Sequence, residues 1–153
     1  MSIVIDFVET SRGATVLPNG EAVDLSSASS VEIQFSLFMG DLVLQSTETD
    51  LSTRFGFISM FNLLTGLPEA FSKAMTTAEG VLYFYEHDQK LTMRRSGDCI
   101  LITCNYASRR IRVDVKDLAV ALLDFVHRRT TMLIEQYPEL LKNPSFLDMI
   151  FKG

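Results

Sequence analysis

Four short segments between residues 81 and 115 alternate apolar and polar side chains with a period of two, and three polar turn sequences separate them. This pattern predicts four antiparallel strands in a meander, because successive side chains of a strand point to opposite faces of a sheet. The expected turns are residues 86–89, 96–97 and 105–108. Pairing the strands through these turns places eight apolar residues on one face, as in a core: Leu82, Phe84, Leu91, Met93, Ile100, Ile102, Ile111 and Val113.

The opposite face of the predicted meander is a candidate binding surface. Tyrosines supply rigid contact area and arginines supply directed hydrogen bonds, so the face favours recognition of a protein partner. Two other interpretations stay open. Another layer of the protein covers the face and pairs its arginines, or the face binds nucleic acid, which a pI of about 5.0 disfavours. Thr92, Leu101 and Thr103 share this face with the candidate partner-binding residues, which are Tyr83, Tyr85, Arg94, Arg110 and Arg112.

The net charge of −5 is distributed unevenly along the chain. Residues 1–53 hold eight acidic residues against the single base Arg12, a balance of −7, whereas residues 90–129 hold nine bases against four acids. Either the two segments neutralise each other within the fold, or the acidic segment steers a basic partner. In the second case the candidate partner-binding residues are Glu32, Asp41 and Glu48.

The first third of the sequence predicts strands and hairpins. A strand over residues 2–8 precedes a hairpin over residues 14–25, whose turn has the composition Pro-Asn-Gly-Glu. Residues 31–38 alternate apolar and polar side chains, which predicts a strand. This strand turns at Met39-Gly40 and pairs with the segment that follows, because a two-residue loop matches the apolar faces of both.

Helical spacing of apolar residues appears in two parts of the chain. The spacing and the capping residues predict four helices: one within residues 51–65, with Asp50 or Ser52 as N-cap and Gly66 after its end; one over residues 68–75; one of about 21 residues after Val115, ending at Pro138; and one from Asn143-Pro144 to Phe151.

The order of strands, two helices, strands and two helices predicts an α+β fold rather than βαβ units. We expect one globular domain over residues 1–153, a length that suits a single core. Its antiparallel sheet would comprise the N-terminal hairpins and the four-stranded meander. A central helical pair and a long C-terminal helix would pack against that sheet.

No catalytic or metal-binding motif stands out, so we expect no enzyme activity, no metal and no cofactor. The glycine-rich nucleotide-binding motifs are absent from the sequence. The two histidines, His87 and His127, and the two cysteines, Cys99 and Cys104, do not have zinc-ligand spacing. Cys104 with His87 as its base is a weak candidate for nucleophilic catalysis, since nothing in the local sequence brings them together.

The sequence also predicts a cytoplasmic protein without a membrane segment. Its apolar runs are far shorter than the roughly 20 residues that cross a bilayer. Asp6 and Glu9 lie where a signal peptide would be apolar. Cys99 and Cys104 should point to opposite faces of one strand, which excludes a disulfide between them and favours a reducing compartment.

Two stretches carry a resemblance to a known class of proteins. The meander VLYFYEHDQKLTMRRSGDCILITC and the strand-to-helix sequence IRVDVKDLAVALLDFVHR give residues 81–151 a layout that resembles small bacterial immunity proteins. These proteins neutralise contact-dependent and other polymorphic toxins in the cytoplasm. The resemblance implies a non-enzymatic protein that binds a toxin domain tightly and blocks its active site or substrate access. Many such toxin domains are basic nucleases, which an acidic inhibitor would suit. The alternatives are an adaptor or subunit interaction module, or a small-ligand-binding α+β domain.

Overall fold

The structure, a computed structural model, describes residues 2–10, 15–17, 19–84 and 88–151. These residues form seven strands and four α-helices, with one 3₁₀ helix at Pro138–Lys142. The elements are β1 (Ile3–Glu9), α1 (Ser30–Phe35), β2 (Met39–Ser46), β3 (Ile58–Ser59), α2 (Met60–Thr77), β4 (Glu79–Tyr83), β5 (Lys90–Ser96), β6 (Cys99–Cys104), β7 (Arg110–Asp114), α3 (Val115–Gln136) and α4 (Pro144–Phe151). Strands β1-β2-β3 form one antiparallel sheet and β4-β5-β6-β7 form another. The predicted α+β class with a long C-terminal helix is confirmed.

The four-stranded sheet is the predicted meander. Its register sets Leu82 opposite Leu91 and Ile102 between Met93 and Ile111. All eight residues predicted for the core face are at most 5% exposed. Helices α2 and α3 pack against this face, and the core that they close continues into the three-stranded sheet.

The three-stranded sheet pairs strands differently from the sequence prediction. Strand β2 lies between β1 and β3, with Phe7 opposite Leu42 and Ile5 opposite Leu44, and all four side chains are buried. Gly40 begins this ladder rather than turning a hairpin. A Cβ atom at Gly40 would collide with the ring of Phe7, so the close approach of β1 requires glycine there.

The strand predicted over residues 31–38 is wrong, because α1 occupies its first part. Ser29 and Glu32 form a capping box: the Ser29 hydroxyl accepts from the Glu32 amide at 3.1 Å, and the Glu32 carboxylate accepts from the Ser29 amide at 3.0 Å. This reciprocal pair satisfies two amides that a helix start leaves free. One turn of helix also buries Ile33. The local cap therefore outweighs the alternating pattern.

The helix predicted from Leu51 begins only at Met60, so its first half is wrong. The amide of Leu51 donates to Leu44 O at 2.8 Å, and the amide of Thr53 donates to Leu42 O at 3.0 Å. This segment therefore continues the three-stranded sheet as an irregular chain beside β2. Its hydrogen-bond partners lie on another element, which helical spacing alone does not reveal.

One helix, α2, replaces the predicted central pair of helices. Gly66 lies inside α2 rather than after its end, and a Cβ atom there would collide with the side chain of Leu82. The helix ends instead at Thr77, and its C-cap residue Ala78 has a left-handed φ of 74°. Pro68 costs an interior helix about 3 kcal/mol. Burial of Leu64 and Leu67 beside it offsets that cost, at about 1.5–3 kcal/mol for each side chain.

The C-terminal helices agree with the prediction. In α3 the buried apolar residues recur at helical spacing, as predicted for an amphipathic helix, and they are Leu118, Leu122, Phe125 and Leu133. Asn143 caps the start of α4, since its side-chain Oδ1 accepts from the Ser145 amide at 2.9 Å. The Asn143 amide group is buried and donates to Leu25 O and Ala28 O, each at 2.8 Å. It therefore ties residues 25–28 to the start of the last helix.

Part of the predicted hairpin over residues 14–25 is present. Val16 bridges Ala22 in the antiparallel sense, and the amide of Leu17 donates to Glu21 O at 2.9 Å. Residues 14 and 18, which belong to the same prediction, lie outside the described residues.

Asp6 joins the first strand to α3. Its Oδ1 atom accepts from Arg128 Nη1 at 3.0 Å and from Arg129 Nη2 at 2.6 Å. The same arginines donate to Ile5 O at 3.2 Å and to Phe7 O at 2.7 Å, which covers the edge of β1. Burial alone would raise the pKa of Asp6, but the hydrogen bonds from Arg129, the Phe7 amide and Arg128 outweigh it and lower the pKa.

We predict that Asp6→Asn lowers the free energy of unfolding at pH 7 by about 1–2 kcal/mol, since charge-assisted hydrogen bonds are lost at a site that is partly exposed. Because the folded-state pKa of Asp6 is lowered, its contribution is present above the unfolded value and is lost as the pH falls through the folded value. Urea unfolding at pH 7 and in strong acid measures both effects. The exposed Glu135→Gln on the same helix is the control, and equal losses in both variants would contradict the role of Asp6.

Candidate partner-binding surface

The outer face of the four-stranded sheet carries the predicted tyrosine and arginine residues in cross-strand rows. One row runs Glu79, Arg94, Leu101, Arg112, and the next runs Val81, Thr92, Thr103, Arg110. Tyr83 stands opposite Lys90 in a third row and is 63% exposed. The face spans three strand spacings, or about 14 Å, which suits the centre of a protein interface. Tyr85 lies outside the described residues.

The arginines of this face differ in their partners. Arg94 donates from Nη2 and Nε to one Glu79 oxygen, at 2.7 and 3.1 Å, so its charge is compensated within the sheet. Arg110 and Arg112 are exposed, and within the described part of the chain neither forms an ion pair. Their guanidinium groups therefore keep several donors for a ligand oxygen.

The structure brings Glu48 to the edge of the outer face. A surface cleft of about 300 Å³ lies between the turn of residues 46–49 and strands β6 and β7. It is lined by Ser46, Glu48, Thr49, Leu101, Arg110, Ile111 and Arg112. Arg110 and Arg112 of the predicted sheet face and Glu48 of the predicted acidic segment thus line the same cleft.

Glu32 and Asp41 do not line this cleft. Both form hydrogen bonds within the fold instead. Glu32 belongs to the capping box of α1. Asp41 Oδ1 accepts from the Thr53 hydroxyl at 2.8 Å and from the amides of Phe55 and Gly56 at 2.7 and 2.9 Å. Together with Asp6, these two acids use their carboxylates for hydrogen bonds within the fold. Part of the acidic residues of 1–53 is therefore not available to contact a partner.

Sequence reasoning missed a second cleft beside the first. It has a volume of about 340 Å³ and is lined by Asp50, Ser52, Arg54, Phe55, Tyr106, Ala107 and Arg109. The linings of the two clefts follow one another along the chain, with residues 46–49 and then 50–55 on one wall and residues 106–109 and then 110–112 on the other, and we call the two together the seam groove. The Tyr106 hydroxyl crosses the seam and donates to Leu51 O at 2.8 Å. Burial raises the pKa of Tyr106, which keeps this donor protonated.

Local sequence patterns do not predict the seam groove, because the residues on its two walls are more than 50 positions apart. Residue 54 lies within the helix that the sequence predicts, and residue 109 follows a predicted turn. The Arg-Arg pair at residues 109–110 is the feature that could have drawn attention to this turn.

The cysteines lie on opposite faces of β6, as predicted, and both are free. Cys99 Sγ donates to Asp114 Oδ1 at 3.5 Å on the outer face, and Cys104 Sγ donates to Ala107 O at 3.7 Å. His87 lies outside the described residues, so its position relative to Cys104 is not described. Among the residues that the structure describes, no three His, Cys, Asp or Glu side chains are grouped to hold a metal ion.

Comparisons of this chain with protein-family models, with curated proteins and with solved structures found no significant match. Within the described residues, every helix is too short or too polar to cross a membrane.

We predict that Asp41→Ala lowers the free energy of unfolding by about 2 kcal/mol, because it leaves the Thr53 hydroxyl and two loop amides without their acceptor. Asp41→Asn keeps one acceptor oxygen and should cost less. Glu48→Ala, at an exposed turn residue, is the control and should change stability by less than about 0.5 kcal/mol. Denaturant unfolding of the three variants measures this order, and an unchanged Asp41→Ala variant would contradict the structural role.

Proposed function

We propose that this protein is a non-enzymatic binding protein that takes a protein partner on the outer face of its four-stranded sheet. The observation that carries this function is the composition of that face. An exposed tyrosine and arginines without ion-pair partners among the described residues stand on a rigid sheet whose other face is fully buried. Exposed Tyr and Arg side chains on a preorganised backbone are the residues that dominate protein interfaces.

In its most specific form, the partner is the toxin domain of a bacterial polymorphic toxin, and this protein is its immunity protein. The resemblance of residues 81–151 to such proteins supports this partner. The structure gives less support to a basic toxin domain than the charge distribution of the sequence does. Asp6 and Asp41 are engaged inside the fold, so fewer acids of the first 53 residues are free for steering.

The test is coexpression with the C-terminal domain encoded by the neighbouring reading frame. For an immunity protein we expect that domain alone to arrest growth, coexpression to restore it, and the two proteins to copurify. A stable complex without any toxicity would instead favour an adaptor or subunit role. Absence of a complex with the neighbouring product would contradict the immunity function.

With a complex in hand, we predict that Tyr83→Ala speeds dissociation about tenfold or more, because truncation of a central aromatic removes buried contact area. Surface plasmon resonance measures the rate. Phe151→Ala is the matched control, since Phe151 is an exposed aromatic residue on α4. Equal dissociation rates for wild type and Tyr83→Ala would place the interface on another surface.

A further inference from the structure

We infer that the seam groove binds an acidic polypeptide segment of the partner, so that carboxylates of the partner lie against Arg54, Arg109, Arg110 and Arg112. This inference rests on the proposed function and adds the chemistry of the partner to it. The groove continues the outer face of the sheet past its last strand, β7, to the irregular chain beside β2.

The charges along the groove favour an acidic ligand. Its lining carries the four arginines against two acids, Glu48 and Asp50. Asp50 is already engaged: its Oδ1 accepts from the Ser52 amide at 2.9 Å, and its Oδ2 lies 3.5 Å from Arg54. Asp114 lies further along the same face of β7. The groove therefore keeps an excess of guanidinium groups in a protein whose overall charge is −5.

The shape of the groove favours an extended polypeptide. Part of its wall is extended, since residues 110–112 belong to β7 (Arg110–Asp114), which spans about 13 Å. Strand β7 pairs with β6 on one side, and no strand of the described region pairs with its other side. The hydroxyls of Ser46 and Thr49 and the side chain of Leu101 add polar and apolar contacts between the arginines.

A polypeptide fits these features better than a nucleic acid. A carboxylate can be bound by the two parallel donors of one guanidinium group, and the methylene groups of glutamate suit a lining that includes Leu101 and Phe55. A long polyanion would in addition approach a protein of net charge −5, which weakens its association over the whole surface.

The probe is a fluorescein-labelled hexaglutamate peptide, and its binding to the full chain is measured by fluorescence anisotropy at low ionic strength. We expect hexaglutamate to bind and hexalysine and hexaglutamine peptides not to bind. Arg54→Ala and Arg109→Ala should each weaken hexaglutamate binding about two- to fivefold, as for exposed charge pairs. Arg95→Ala is the matched control. It removes the same charge, but Arg95 contacts Met75 O, on the other side of the sheet, so binding should be unchanged.

Glu48→Gln gives the opposite sign. Removing the negative charge of this residue from the groove should strengthen hexaglutamate binding about twofold. If the groove bound basic ligands, the same substitution would weaken their binding. Equal effects of Arg95→Ala and Arg109→Ala, or tighter binding of an oligothymidine strand than of hexaglutamate, would overturn the acidic-peptide site. If Tyr83→Ala still disrupts the partner complex while Arg54→Ala and Arg109→Ala do not, the proposed function stands and the seam groove is excluded.

Discussion

A single carboxylate, that of Asp6, fixes how the beginning and the end of this fold meet. It binds two consecutive arginines of α3, Arg129 across 123 residues of chain, and those arginines also donate hydrogen bonds to two carbonyls of β1. An edge strand with unpaired carbonyls is a template for unwanted pairing, so the same contact that closes the fold also protects its edge. The three-stranded sheet is thereby held against the helix that follows the four-stranded one.

This closure changes how the charge of the sequence should be understood. The acidic first third and the basic segment after residue 90 suggest two opposed surfaces, yet Asp6, Asp41 and Arg129 are largely used within the fold. A carboxylate that is paired with guanidinium groups, as that of Asp6 is, contributes to stability and little to the field around the molecule. What remains outside is more local: a sheet face and a groove where arginines exceed acids, on a protein that is acidic overall.

The sequence predicted the meander well and the first sheet poorly, for physical reasons. In the meander, alternation and local turns act together, so the register of Ile102 between Met93 and Ile111 follows from neighbouring residues. In the first sheet, β2 pairs with a strand more than thirty residues earlier, and the capping box at Ser29 overrides the alternation that follows it. The outer face was therefore predictable, whereas the seam groove depends on long-range pairing.

The two walls of the seam groove differ in a way that suits recognition. Arg110 and Arg112 stand on a strand whose inner face is packed in the core, so their backbone positions are fixed before a partner arrives. Glu48 and Arg54 stand on an irregular chain that is held by side-chain acceptors such as Asp41 and by the Tyr106 hydroxyl. A wall with a fixed backbone lowers the entropy cost of binding, and a wall built from turns tolerates substitutions.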